Sequence, residues 1–356
     1  MKLIARYLIR QLGVMTVYAL LAFLALYLFF DLMNESGDIG KGTYTGFKAM
    51  QYLALQIPAH VYELMPLAVL IGGLLALNQL AAGSEITVMK TSGMSTGNLI
   101  GVLLSFGAVF ALATAALGEW GAPAASRSAE NMKAAALSGG VSAGAGGVWI
   151  KEGGTIVNVA EMLPDRTLRG ITAYRHDSGF KLAESWQAES AVVGQNGMWR
   201  LYQVRRTLLS DDAVSVSQSA QEDWQAGIDG QLLDVLLVDP AQMSVSALGA
   251  YIGHLEQNRQ QTGEYRIAWW RKLMYPVATV VMALVALAFT PQSARHGNMG
   301  LKLFGGICLG LAFHFAGRLF GFSGELYGMP PFLAAALPTL IFAAWAVYLI
   351  RKQEKR

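Results

Sequence analysis

Six apolar stretches, each long enough to cross a bilayer as a helix, constrain this chain more than any other feature of its sequence. They run from about Leu12 to Phe30, Val61 to Leu80, Leu99 to Leu117, Leu273 to Thr290, Leu303 to Phe322 and Phe332 to Ile350. About 20 apolar residues at about 1.5 Å of helical rise each cover a hydrocarbon layer of about 30 Å. Inside that layer only a helix or a closed barrel satisfies its own backbone polar groups. Composition agrees, since 54% of the 356 residues are apolar and 14% are charged, against about a quarter charged in soluble domains. The first run follows Met1, Lys2, Arg6 and Arg10, exceeds the length of a signal-peptide core and is expected to stay as an anchor.

The spans fall three on each side of a long middle, which divides the chain into 1–118, 119–265 and 266–356. Lys2, Arg6 and Arg10 precede the first span, and Lys90 lies between the second and third. Arg295 and Lys302 lie between the fourth and fifth, and Arg351, Lys352, Lys355 and Arg356 follow the sixth. The positive-inside rule makes those four places cytoplasmic. The opposite side then receives Asp31 to Ile57, Ser323 to Pro331, and the middle from Glu119 to about Glu264. Lys41 and Lys48 run against this bias.

The middle changes character. Val148 to Lys151, Thr155 to Val159, Ile171 to Tyr174, Trp199 to Val204 and Val214 to Ser217 are short strand-like pieces. Glu152-Gly153-Gly154, Asp177-Ser178-Gly179 and Gln195-Asn196-Gly197 supply turn chemistry between them. An inserted all-β domain is expected, periplasmic in a Gram-negative cell. Gly139 to Gly147 is glycine-rich but has no preceding strand and no closing Gly-Lys-Ser/Thr, so it reads as a linker.

Several chemistries lack their residues. The nearest approach to a P-loop, Gly40-Lys41-Gly42, has Glu35 where the first glycine belongs and Gly42 where a hydroxyl is required, so ATP is not expected to bind by that motif. His60, His176, His254, His296 and His314 form no i, i+4 pair beside a glutamate, and no metal site is expected. The single cysteine, Cys308, lies in an apolar run and reads as packing. No nucleophile and base pair up in the sequence to suggest a lipid-modifying enzyme. A net charge of +3 with basic residues at span ends does not make a nucleic-acid surface. An ion-driven carrier places carboxylates mid-span, whereas Glu63, Glu119 and Arg318 lie toward outer span ends. His314 sits deeper, as a relay or as a packed polar group.

Between spans two and three, Gly83 to Gly93 reads as a short cytoplasmic helix over about 84–92. Ser84 is placed to cap it, Glu85 faces the positive end of its dipole, Lys90 the negative end, and Gly93 closes it. A transporter without its own ATPase would be pushed at such a helix.

The segments Ser84-Glu85-Ile86-Thr87-Val88-Met89-Lys90-Thr91-Ser92-Gly93, Gly118-Glu119-Trp120-Gly121-Ala122-Pro123, Met299-Gly300-Leu301-Lys302 and Leu326-Tyr327-Gly328-Met329-Pro330-Pro331 together resemble the LptF/LptG permeases of the lipopolysaccharide export ABC transporter. The resemblance covers the whole chain and lies on the LptG side of that family. It implies an α-helical membrane protein of six transmembrane helices in a 3+3 arrangement, with an inserted periplasmic β-jellyroll-like domain. Both termini would be cytoplasmic, in the inner membrane. It implies a partner LptF-like permease, two LptB-like ATPases that carry ATP and Mg, an LptC-like single-span protein and a periplasmic LptA-like bridge, with no cofactor in this chain.

By the same resemblance, Ser84, Glu85, Val88, Met89 and Gly93 belong to an ATPase-coupling helix. Leu26, Phe29, Phe30, Phe313, Phe315 and Phe320 belong to a lateral gate and lipid cavity formed by spans one and five. The outer end of span one departs from the family, because Phe30 to Asp38 is acidic where lysines are usual; Lys41, Lys48, His60 and Arg318 are the substitutes expected to meet lipid phosphates. Keeping the acyl chains dry is worth the machinery. At about 0.8 kcal/mol per methylene, one chain of about a dozen carbons costs about 10 kcal/mol to expose. Two other readings stand beside this one: an LptF-type sister subunit, and a membrane scaffold whose β-domain docks periplasmic partners.

Overall fold

The computed structural model describes residues 2–137, 148–152, 154–162, 167–177, 179, 181–194, 197–210, 213–226, 243–257, 259–290 and 299–354. The expected linker at 139–147 lies outside the described residues, as do Gly153, Ser178, Gln195, Asn196, His296, Arg295, Lys355 and Arg356. Helices α1 (Lys2–Glu35), α2 (Gly46–Ala82), α3 (Glu85–Thr91), α4 (Thr96–Ala116) and α5 (Ala122–Leu137) come first, with a π-turn over Leu117–Gly121 joining the last two. Strands β1 (Val148–Glu152), β2 (Thr155–Met162), β3 (Thr167–His176), β4 (Leu182–Val193), β5 (Met198–Leu209) and β6 (Val214–Gln225) follow. Then come α6 (Val245–Gln257), α7 (Gly263–Ala288), α8 (Met299–Tyr327) and α9 (Pro331–Glu354). Six of these helical stretches are long and apolar enough to span a membrane: α1, α2, α4 running on into α5, α7, α8 and α9.

The helices outrun the apolar stretches that announce them. α2 begins at Gly46, capped by Thr45, whose side chain accepts from the Lys48 amide, and it carries Pro58 and Pro66 within it. Neighbouring helices and local backbone adjustment make such prolines tolerable at membrane depth. The expected outer connection of 31–57 therefore shrinks to the residues between Glu35 and Gly46. Likewise the boundary expected after residue 118 falls inside one continuous helical rod, and α7 starts ten residues before Leu273.

α2 and α7 form the middle of the bundle. Val69, Leu70, Leu74 and Leu77 of α2 share one buried core with Leu8 and Leu12 of α1, Leu103 and Phe106 of α4, Met282 and Val285 of α7, and Phe342 of α9. Glycines set the closest approaches. A Cβ on Gly72 would collide with the backbone of Thr16, and one on Gly107 would lie 3.1 Å from Cα of Val280. Such close approach is how membrane helices gain packing energy where water provides none.

The six strands form one antiparallel sheet in the order β1-β2-β3-β4-β5-β6. Among the described residues it is a meander without a Greek-key crossover, so the architecture observed is an inserted antiparallel β-domain. Burial does not simply alternate along it. β3 buries Leu168, then Ile171 and Ala173; β4 buries Trp186 and Ala188, then Ala191 and Val193; β5 buries Trp199 and Leu201, then Val204. The buried positions shift by one residue at Gly170, Glu189 and Gln203, which the unbroken register places opposite one another. Gly170 (φ 62°) and Gln203 (φ 53°) have left-handed backbone there, and a Cβ on Gly170 would sit 2.9 Å from that of Ala160. The shift keeps the apolar residues of the sheet in one cluster, around Trp186, Trp199 and Trp224.

Candidate functional site

At the end of the bundle nearest the α1–α2 connection, called the outer end, α1, α2, α5, α7, α8 and α9 enclose a cavity of about 710 Å³. Its basic lining is Arg271 and Lys272 of α7, His60 of α2, and His314 and Arg318 of α8; Asp31, Glu35, Glu63, Glu264 and Glu325 supply acid. Lys272 is 8% exposed and its Nζ lies 5.2 Å from the centre of the Tyr62 ring. Tyr275 donates to the Glu63 carbonyl at 2.7 Å, and His314 Nε2 stands 3.6 Å from the Glu63 carboxylate. Charge at this depth is expensive in a bilayer and faces the bundle interior or water.

The acidic outer end of α1 has its partners within the chain. Glu35, 8% exposed, accepts from Lys133 Nζ at 2.7 Å and from the Tyr44 hydroxyl at 2.8 Å. Lys133 also pairs with Asp38 at 3.2 Å and stands 5.1 Å from the centre of the Tyr52 ring. Tyr52 donates to Glu130 at 2.8 Å, and Ser126 to Gln56 at 3.1 Å. This network fastens the α1–α2 hairpin to α5. Of the residues expected to meet phosphate, Lys41 is paired with Asp38 at 2.7 Å, Lys48 Nζ donates to Thr43 at 3.1 Å, and His60 lies 2.6 Å from Asp31. Arg318 alone of the four has no carboxylate or hydroxyl partner among the described residues, and it lines the cavity.

Lys41 and Lys133 hold the Asp38 carboxyl below the usual carboxylate range, and the Tyr44 hydroxyl's own burial, with the Glu35 carboxylate accepting its hydrogen bond, pushes it well above its ordinary value. A depressed folded pKa gives stability that is present above the unfolded value and lost as pH falls through the folded one. Asp38→Asn should therefore lower the thermal midpoint of the detergent-purified chain at pH 7. The gap to wild type should shrink below pH of about 4, as followed by tryptophan fluorescence.

The expected gate residues divide. Leu26, Phe29, Phe30 and Phe315 are exposed, Phe320 is half-buried, and Phe313 turns inward onto Phe342 at 5.3 Å between ring centres. α8 has two faces. Gly306, Gly310, Gly321 and Gly324 abut Leu74, Leu67, Arg271 and Ala334 of its neighbours, while Leu311, Phe315, Leu319, Phe322 and Leu326 are exposed along a stripe of helical spacing. α1 presents a comparable open face.

At the opposite end of the bundle, α3 buries no residue completely. Ile86 and Met89 seat it on the main core, leaving Val88 60% exposed. Ser84 does not cap the helix as expected. It adopts left-handed backbone (φ 58°) and its side chain makes no capping bond, because the chain must turn sharply from the end of α2 within two residues. Glu85 and Lys90 occupy the first and last turns as expected, and Gly93 (φ 95°) donates to the Lys90 carbonyl at 3.1 Å. Glu85 also accepts a hydrogen bond from the Tyr7 hydroxyl at 2.9 Å, a contact with no signature in local sequence.

The π-turn accounts for another of the quoted segments. A Cβ on Gly118 would lie 2.6 Å from the Tyr62 ring. Glu119 accepts from the Val245 amide at 2.8 Å and from the Ser246 hydroxyl at 2.6 Å, capping α6 where the chain returns from the β-domain. Trp120 is exposed at the outer end of the span, where aromatic rings favour the membrane interface. Arg271 and Lys272 were missed by reading the fourth span from Leu273; the signal available was a basic pair on the outer side, against the charge bias.

The family model described as "Lipopolysaccharide export system permease LptF/LptG" matches residues 6–352. The chain is 30% identical over 342 residues to the "Lipopolysaccharide export system permease protein LptG" of Escherichia coli strain K12, covering 95% of this chain and 94% of that protein. It is 29% identical over 323 residues to the protein of the same description from Haemophilus influenzae, covering 90% of each.

Proposed function

The chain belongs to the LptF/LptG family of lipopolysaccharide export permeases, and from that membership we propose how its cavity and open helix faces handle the lipid. It is a multi-pass inner-membrane permease subunit of a lipopolysaccharide exporter. One observation carries the reading of the site: a charged cavity at the outer end of the bundle stands beside two apolar helix faces, on α1 and α8, that no described residue covers. That arrangement suits an amphipathic molecule with anionic head groups and several acyl chains. Arg271, Lys272 and Arg318 are assigned to the phosphates in place of Lys41 and His60, which have carboxylate partners. Leu26, Phe29 and Phe30 on one side and Phe315 on the other are assigned to the acyl chains.

ATP and Mg are assigned to LptB-like partners that engage α3 through Glu85 and Val88. An LptF-like permease completes the cavity opposite α1 and α8, an LptC-like helix joins the assembly, and the β-domain hands lipid toward an LptA-like bridge. Both termini are taken as cytoplasmic and the β-domain as periplasmic, on the placement of Arg6, Arg10, Arg351 and Lys352. In proteoliposomes of the full assembly, Arg271→Glu with Arg318→Glu should lower lipopolysaccharide release several-fold. Lys41→Ala with Lys48→Ala should leave it near wild type. The reverse order of effects would return the phosphates to the α1–α2 hairpin.

A further inference from the structure

α1 is gripped at distinct heights. Near its start, the Tyr7 hydroxyl donates to Glu85 at 2.9 Å and Gln11 Nε2 donates to Gln79 at 3.2 Å. Leu8 and Leu12 are buried in the same core on which Ile86 and Met89 of α3 rest, and the Tyr7–Glu85 hydrogen bond links the start of α1 to α3 directly. Above this, Thr16 presses on Gly72, where no side chain can be added without displacing the α1 backbone. At the outer end, Asp31 lies 2.6 Å from His60 and Glu35 is bound by Lys133, which fixes a resting position. Between crossing and outer end, Leu26, Phe29 and Phe30 are exposed.

Resting on the permease reading above, we propose that α1 is a lever whose input is the Tyr7–Glu85 contact, whose fulcrum is Thr16 on Gly72, and whose output is the lipid-facing turn around Phe30. Tyr7 is then a positioning residue, which acts by tying the motor-facing helix to the gate helix. Tyr7 to Thr16 spans about 14 Å of helix and Thr16 to Phe30 about 21 Å, so a displacement of α3 is magnified about 1.5-fold at the gate if α1 tilts as a rigid rod. With no proline between Tyr7 and Phe30, α1 has no proline kink at which to dissipate the motion.

The test uses the reconstituted assembly with its ATPase. Spin labels replace the exposed Met33 and Leu326 in a Cys308→Ser background, with a separate reporter at the exposed Thr87 of α3. Distances are measured with and without ATP plus vanadate. The expected result is a nucleotide-driven change between the outer labels that falls to less than half in Tyr7→Phe, while the Thr87 reporter still responds. Gln11→Leu, which removes the neighbouring contact, should show a smaller loss in the same direction. An outer change of wild-type size in both variants overturns the lever and leaves the permease reading intact. Export without any outer change in the parent also overturns it, whereas no export and no change in the parent tells against the permease reading itself.

Discussion

Glu85→Ala is expected to reduce lipopolysaccharide export by about a hundredfold while the chain still inserts and folds. α3 has seven residues and completely buries none of them, so its own stability contributes little to the bundle. A helix that short does not persist in water alone; it is held by Ile86 and Met89 on the core and by Glu85 on Tyr7. Losing that single exposed hydrogen bond costs about 1 kcal/mol, too little to unfold a six-span bundle. If Glu85 meets a cationic side chain of a motor subunit, truncation leaves that charge desolvated and unpaired, at about 2–5 kcal/mol. The middle of that range is a factor of a few hundred in affinity. The check is export per cell with membrane levels of the chain measured alongside. Loss of the chain itself would assign Glu85 to folding instead.

Lys133→Ala is expected to destabilise the folded chain by about 2–4 kcal/mol, somewhat below the usual cost of breaking a fully buried pair. The Lys133 side chain is 19% exposed and that of Glu35 10%, so Glu35 would be left among Tyr44, Tyr52 and α5 with a charge it cannot shed into water. The companion variant separates charge from packing. Glu35→Gln combined with Lys133→Met keeps the volume, lets the amide accept from Tyr44, and should recover most of the loss. Denaturation of both in the same detergent compares them directly, and equal losses would mean that shape rather than charge holds the α1–α2 hairpin to α5.

Apolar length made the six spans legible because no soluble core needs six runs of that kind. It did not mark where the helices end. α2 continues outward through Pro58 to Thr45 because Ser126 and Glu130 of α5 satisfy the polar groups on its flank, and those residues lie some seventy positions away. The π-turn, which α2 packs against through Tyr62, had no local sign either. In the β-domain, five strands showed as β-branched and aromatic pieces. β4 did not, since Leu-Ala-Glu-Ser-Trp-Gln-Ala-Glu-Ser-Ala-Val-Val has the composition of a helix and is extended only because β3 and β5 hydrogen-bond both its edges. The site was half legible. The exposure of Phe29 and Phe30 and the place of Glu85 in the first turn of α3 follow from positions readable in the sequence, whereas the pairing of Lys41 and His60 with carboxylates depends on the folded α1–α2 hairpin.

Whether lipid passes between α1 and α8 is settled most directly by photocrosslinking in cells. A photoreactive residue is placed at Phe29, Phe30 and Phe315, with Leu340 and Val347 on the exposed face of α9 as controls. The account predicts lipopolysaccharide adducts at the α1 and α8 positions that depend on a working ATPase partner, and few at the controls. Equal labelling at all five, or none at any, would contradict it and favour a scaffold whose helices only meet ordinary lipid.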